Sequence, residues 1–185
     1  MGFRKIETSL PGIIIIQPDV FGDDRGFFLE LYNRRSFAEI GLGHLQFVQD
    51  NLSSSSKGTI RGLHFQAPPH AQGKLITVLQ GHVLDVAVDL RPNSPTYGKC
   101  ITAEMKAEER TMLYIPEGFA HGFQVLSETC LFHYKCTDYY QRSAEGGVLW
   151  NDPQLAIPWR DLGMDPIVSS KDQIHTPFKD FVSPF

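Results

Sequence analysis

The chain has 185 residues, enough for one domain with a substantial core and short for two. A formal net charge of −4 argues against a non-specific nucleic-acid binder, so any anionic ligand must be met by a few Arg and Lys side chains gathered locally. The longest apolar run, Ile13-Ile14-Ile15-Ile16, is far too short to span a bilayer, and no membrane partner is expected.

In chain order, the opening MGFRKIETSLPG has no apolar export segment. Three cysteines, Cys100, Cys130 and Cys136, form an odd set without CxxC spacing, which fits neither a disulfide framework nor a thiolate zinc site. A reduced, cytoplasmic location is the expectation. β-character predicts strands over residues 12–17, 26–32, 58–66, 74–80, 82–91, 99–107, 111–115, 119–126 and 130–136, separated by Gly, Pro and Asn/Asp turns. Strands at this spacing predict an all-β sandwich or barrel. Helix is scarce: Ser36-Phe37-Ala38-Glu39 has capping-box spacing, but Gly41 stops it within two turns. In the clearest strand, Leu84, Val86, Val88 and Leu90 share one face, and Val83, Asp85, Ala87 and Asp89 share the other. The first face predicts core, the second a cavity wall or a wet surface. From Asn151 onward the chain carries five of its twelve prolines and is expected to wrap the core.

Two segments offer chemistry. In Arg61-Gly62-Leu63-His64-Phe65-Gln66, period two puts His64 with Gly62 and Gln66, so its imidazole faces a cavity or solvent rather than packed hydrocarbon. Gly62 leaves room for something to approach the sheet. Pro116-Glu117-Gly118-Phe119-Ala120-His121 forms a turn entering a strand, and the two segments together resemble the paired motifs of cupin barrels. Many cupins hold a divalent metal through two His and a Glu of the first motif and a His of the second. Here Gln66 replaces a ligand and residues 67–73 supply no Glu, leaving His64 and His121 as two nitrogens for a site needing three protein ligands. No metal cofactor is expected.

Further segments narrow the resemblance: Phe21-Gly22-Asp23-Asp24-Arg25-Gly26-Phe27-Phe28, Gln49-Asp50-Asn51, Gln72-Gly73-Lys74, Asp85-Val86-Ala87-Val88-Asp89-Leu90-Arg91, Tyr134-Lys135 with Tyr139-Tyr140, and Trp150-Asn151-Asp152-Pro153. With the two motifs above, in this order and across nearly the whole chain, they resemble the dTDP-4-dehydrorhamnose 3,5-epimerase family. The resemblance implies one cupin-like jelly-roll barrel with short peripheral helices, a homodimer, a dTDP-sugar substrate and no cofactor. It implies double epimerisation of a dTDP-4-keto-6-deoxyhexose in dTDP-L-rhamnose biosynthesis, with His64 as catalytic base, Tyr134 as general acid, Lys74 near the ketone and Asp172 paired with the base. Arg25, Glu30, Gln49, Asn51, Arg61, His121, Glu145 and Lys171 match nucleotide-sugar contacts, and Tyr139 fits a stacking role beneath the nucleobase.

The chemistry is sound from below. A C–H beside a ketone is acidic because its charge passes to oxygen as an enolate. Inversion then needs a base on one face, a proton donor on the other and a positive group at the oxygen. Plainer readings stay open at this point. Tyr134 reads equally as a core aromatic, Lys74 as a strand-edge lysine, Arg25 as a surface ion pair, and Asp85 or Asp89 as the partner of His64. A single-site epimerase and a non-catalytic sugar-nucleotide-binding module are the competing functions.

Overall fold

The computed structural model of the chain describes residues 2–185. Among the described residues, β-character and regularly spaced turns produce fourteen strands and one short α-helix. In chain order they are β1 (Phe3–Glu7), β2 (Ile14–Pro18), β3 (Val20–Asp23), β4 (Gly26–Leu29), α1 (Arg34–Glu39), β5 (Gln49–Ser56), β6 (Thr59–Gln66) and β7 (Lys74–Gln80). There follow β8 (His82–Asp89), β9 (Cys100–Lys106), β10 (Met112–Ile115), β11 (Phe119–Val125), β12 (Thr129–Cys136), β13 (Glu145–Gly147) and β14 (Ile167–Val168). One sheet runs β1-β2-β10-β7-β12-β5, and the other runs β13-β6-β11-β8-β9 with β14 added parallel to β6. This is the all-β, cupin-like jelly roll expected from the sequence.

The two sheets face each other over a core that includes Ile76, Val78, Leu113 and Phe132 from the first and Val83, Ala87, Phe123 and Val125 from the second. At its centre the Phe123 and Phe132 rings stack with centroids 4.0 Å apart. Removing such a buried ring costs about 3–5 kcal/mol. A second apolar layer, Ile14, Ile16, Leu75 and Met112, lies on the back of the first sheet and takes the buried Phe37 of α1.

The β8 alternation holds and its first face is core as expected, but this core lies outside the sandwich and the second face is buried too. Leu84, Val86, Val88 and Leu90 pack outward against Leu155, Ile157, Trp159 and Phe178 of the C-terminal stretch. Val83 and Ala87 face the space between the sheets, with Asp85 in the same row. The C-terminal wrap makes the outer face as dry as a core, which burial of both faces permits but hydrophobicity alone cannot reveal.

Two local readings also change. The helix is capped by Asn33, whose Oδ1 accepts from the Arg35 N–H at 2.9 Å, rather than by Ser36, which lies inside it and donates to Glu30. Gly62, at φ +137°, opens no space for a ligand: a Cβ there would lie 2.6 Å from the Gly122 Cα. Its missing side chain lets β11 close against β6, where the register shifts between His121 and Phe123.

Candidate active site

A cavity of about 620 Å³ is walled by both sheets and by residues of the 167–172 segment. His64 enters from β6, His121 and Phe123 from β11, Lys74 from β7, and Phe132 and Tyr134 from β12. A second cavity of about 260 Å³ shares His64, Lys74 and Tyr134 and extends past Gln49, Asn51, Tyr140 and Glu145. These three shared side chains therefore stand at the junction, His64 on one sheet and Lys74 and Tyr134 on the other.

The partner of His64 is settled. Its Nε2 lies 2.6 Å from Asp172 Oδ1, while the other oxygen of Asp172 accepts the Gly62 N–H at 3.3 Å. Burial works to raise the Asp172 pKa, but the bonds from His64 and Gly62 outweigh it and hold the carboxyl below its usual value. Asp85 is taken by His121, with Nε2 to Oδ2 at 2.9 Å, in a fully buried pair. Burial pushes His121 down and Asp85 up, each through the cost of charge in a dry site. Asp89 is structural: it accepts from Arg91, Ser94 and Thr96, and so fastens the loop after β8.

Tyr134 lies between Asn51 and Ile76 in the sheet and tilts against Phe132 with ring centroids 6.2 Å apart. Burial raises its phenol pKa, so it carries its proton throughout the neutral range. Lys74 is no edge lysine, because β7 is hydrogen-bonded to β10 and β12 on its two sides. Burial lowers its ammonium pKa, opposed by Cys136, Asp85 and Glu145. Among the described residues Lys74 makes no ion pair, and it lines both cavities.

Most of the expected contacts converge here. Arg61 lines the large cavity and donates from Nε to the Ser55 hydroxyl at 3.1 Å. Gln49 donates to Asn51, and Tyr140 donates to Glu145, which pairs with Lys171 at 2.5 Å. Tyr139 lines neither cavity, its neighbour Tyr140 lines the smaller one, and both are largely exposed, at 65% and 53%. Arg25 and Glu30 are not brought to the site by their own chain. Arg25 is bound to Asp23 on the exposed β3–β4 hairpin, and Glu30 accepts from Asn33 and Ser36 at the start of α1.

Gln66 occupies the position where a cupin metal ligand is expected, yet its amide donates to the His70 and Tyr139 carbonyls and accepts from the Gln141 N–H. It is a loop brace. Ser53 and Ser55, which line the large cavity from β5, escaped the sequence reading because β5 is almost wholly polar and gives no apolar alternation. His175 escaped it too: its ring lies 5.6 Å from that of His64, with nothing in the local sequence to mark it.

The model of the dTDP-4-dehydrorhamnose 3,5-epimerase family matches residues 7–180. The chain belongs to this family. The curated dTDP-4-dehydrorhamnose 3,5-epimerase of Salmonella typhimurium is 50% identical over 90% of this chain and 91% of its own length. Among solved structures, the 3,5-epimerase of Elizabethkingia anophelis superposes with a TM-score of 0.90 at 51% identity, covering 97% of this chain and 98% of that one. The Legionella pneumophila epimerase, solved with dTDP-4-keto-L-rhamnose, gives a TM-score of 0.92 at 44% identity over 97% and 95% of the two chains. A family resemblance read from motifs and a likeness measured over the whole backbone agree on the 3,5-epimerases.

Proposed function

We propose that this chain is a dTDP-4-dehydrorhamnose 3,5-epimerase. It converts dTDP-4-dehydro-6-deoxy-D-glucose to dTDP-4-dehydro-L-rhamnose in dTDP-L-rhamnose biosynthesis, by proton exchange at C5 and C3. The observation that carries the reading is the placing of His64 and Tyr134 on opposing sheets of one cavity, with Lys74 lining it beside Tyr134.

In each half-reaction His64 removes the proton from the carbon beside the ketone, and the electron pair moves into an enolate. With Nε2 donating to Asp172, Nδ1 carries the lone pair that acts. Asp172 stabilises the imidazolium as it forms. Lys74 offsets the negative charge growing on the ketone oxygen, a role its low-dielectric setting strengthens. Tyr134 returns a proton from the opposite face, which inverts the centre.

The reacting ring belongs at the junction of the two cavities. Arg61 and Lys171 supply the cations that a net-negative chain must gather for a diphosphate, with a guanidinium able to hold two oxygens at once. Gln49, Asn51 and Glu145 serve the remainder of the nucleotide, with Tyr140 rather than Tyr139 as the stacking ring. His121, held by Asp85, fixes the wall beside His64.

We also read the chain as one domain that acts as a cytoplasmic homodimer. Phe21, Phe27 and Phe28 of the β3–β4 hairpin are 50%, 59% and 61% exposed, an apolar surface that suits a second copy. Arg25 and Glu30 would then serve the neighbouring subunit's cavity. The deciding experiment is incubation with the 4-keto sugar nucleotide in heavy water, with and without EDTA. Proton NMR should show deuterium at both C3 and C5 at equal rates in the two samples. Label at one position alone would make the enzyme a single-site epimerase, and no label would leave only a binding module.

A further inference from the structure

Behind the base lies a donor cluster in which the proposed epimerisation gives roles to His64 and Asp172 but none to His175. His64, Asp172 and His175 each offer one ligand atom, and the three atoms lie within 4.8 Å of one another. His175 Nε2 is 3.5 Å from Asp172 Oδ1, is closed off from solvent and makes no hydrogen bond. A buried ring nitrogen without a partner is uncommon, because its desolvation is not offset.

The position of His175 is built into the fold. The ring lies over Gly147, where a Cβ would stand 2.5 Å from His175 Nε2. Gly147 is the residue paired with His64 across β13 and β6, so the missing side chain makes the place beside the base that the second imidazole fills. The next residue, Thr176, bridges Val148, and its carbonyl accepts the Leu149 N–H at 3.1 Å, which fixes the segment to the sheet.

We propose that His64, Asp172 and His175 form an inhibitory binding site for a divalent transition metal of the zinc class. Ligand atoms around a tetrahedral zinc stand roughly 3.3 Å apart, given bonds of about 2.0–2.1 Å. The Asp172–His175 separation of 3.5 Å meets that spacing, the Asp172–His64 separation of 2.6 Å must open to reach it, and all three ligand atoms lie within 4.8 Å. Two imidazoles and one carboxylate favour zinc over magnesium or calcium, which take oxygen ligands in larger number. The Gly62 N–H on the second carboxylate oxygen orients Asp172 as outer partners do in zinc sites. Two of the three ligands, His64 and Asp172, also line the large cavity.

Inhibition follows from the tautomer. In the free enzyme Nε2 of His64 carries the hydrogen that Asp172 accepts, and Nδ1 is the base. An ion bound at Nε2 takes that lone pair, the hydrogen passes to Nδ1, and the imidazole stays neutral with no nitrogen left to accept a proton from carbon. No redox change or co-reactant enters. Acid weakens the site, because protonated imidazoles cannot ligate. This inference rests on the proposed role of His64 for its effect on activity, but not for the binding itself.

The test therefore reads binding and activity separately. Purified, EDTA-treated protein is titrated with Zn²⁺ by calorimetry and with Co²⁺ by visible absorption, for the native chain, His175→Ala and His175→Gln. The glutamine variant keeps bulk over Gly147 should the alanine variant fold poorly. One equivalent per chain is expected, with the intense visible bands of four-coordinate cobalt, and both variants should lose at least roughly tenfold in affinity. Epimerisation should fall in step with zinc occupancy and return with EDTA, and fold-inhibition in the variants, each against its own zinc-free rate, should drop in parallel. Native protein that takes up no zinc or cobalt at high micromolar concentrations, or variants that bind as tightly as the native chain, would overturn the site. Zinc bound by a chain that never epimerises would instead defeat the functional reading and leave the metal site standing.

Discussion

Nε2 of His64 and Oδ1 of Asp172 meet at 2.6 Å although 108 positions separate them in the chain. On the proposed mechanism the contact leaves Nδ1 as the nitrogen free to act, and it brings a carboxylate of the C-terminal wrap to a site built largely on strands. Asp172→Asn keeps the shape and removes the charge that steadies the imidazolium. It should lower kcat by about 10- to 1,000-fold with little change in KM, and His64→Ala by about 100-fold or more. Steady-state rates on the 4-keto sugar nucleotide check both.

Tyr134→Phe removes the returning proton but leaves the base. Inversion should slow by about 100-fold or more. Wash-in of solvent deuterium by His64 should slow far less, so exchange and inversion, coupled in the native enzyme, come apart in NMR time courses in heavy water. Equal loss of both would make Tyr134 a packing residue against Phe132.

Lys74→Met replaces the ammonium with an apolar chain of similar length. The cavity should keep its shape and kcat should fall by about 100- to 1,000-fold, the usual scale for losing one stabiliser of developing charge. Unchanged kcat with normal unfolding would remove Lys74 from the chemistry.

Asp89 is expected to matter for stability alone. Burial acts to raise its pKa, but Arg91, Ser94 and Thr96 together outweigh it and depress the carboxyl in the fold. Its stabilisation is thus complete above the unfolded-chain value of about 3.9 and is lost as pH falls from there toward the lower folded value. Asp89→Asn should cost about 2–4 kcal/mol at neutral pH and flatten the acid limb of stability, as measured by urea unfolding across pH.

Arg25→Ala should raise KM severalfold or more while kcat holds, although Arg25 lies on an exposed hairpin of its own chain. Sedimentation should show a dimer that Phe27→Ser with Phe28→Ser weakens. A monomeric native enzyme with full activity would contradict both statements.

The sequence was most legible where one residue type has few physical uses. Strand β8 shows itself through alternation, β7 and β11 through β-character between Gly and Pro turns, and His64 through its place on the small, polar face of β6. Strand β5 did not, because half its residues face a polar cavity and half face solvent, leaving no apolar period. Local spacing could not choose between Asp85, Asp89 and Asp172 for His64, since the choice depends on where the C-terminal wrap crosses β6. Tyr139 and Tyr140 are adjacent in a segment without regular structure, so no periodicity says which ring turns inward. The chemistry of Gly62 was misjudged for a related reason: a glycine signals a close approach, but not whether a ligand or a strand makes it.

The late position of Asp172 also sets a timetable for protein synthesis. At about 5–20 residues per second, a ribosome places His64 in the chain on the order of ten seconds before the residue that orients it. All fourteen strands have been translated by then, so the barrel can begin to assemble before His64 meets Asp172. On the proposed mechanism, nascent chains stalled in that interval would be folded in part but inert, unable to pull protons from a keto sugar.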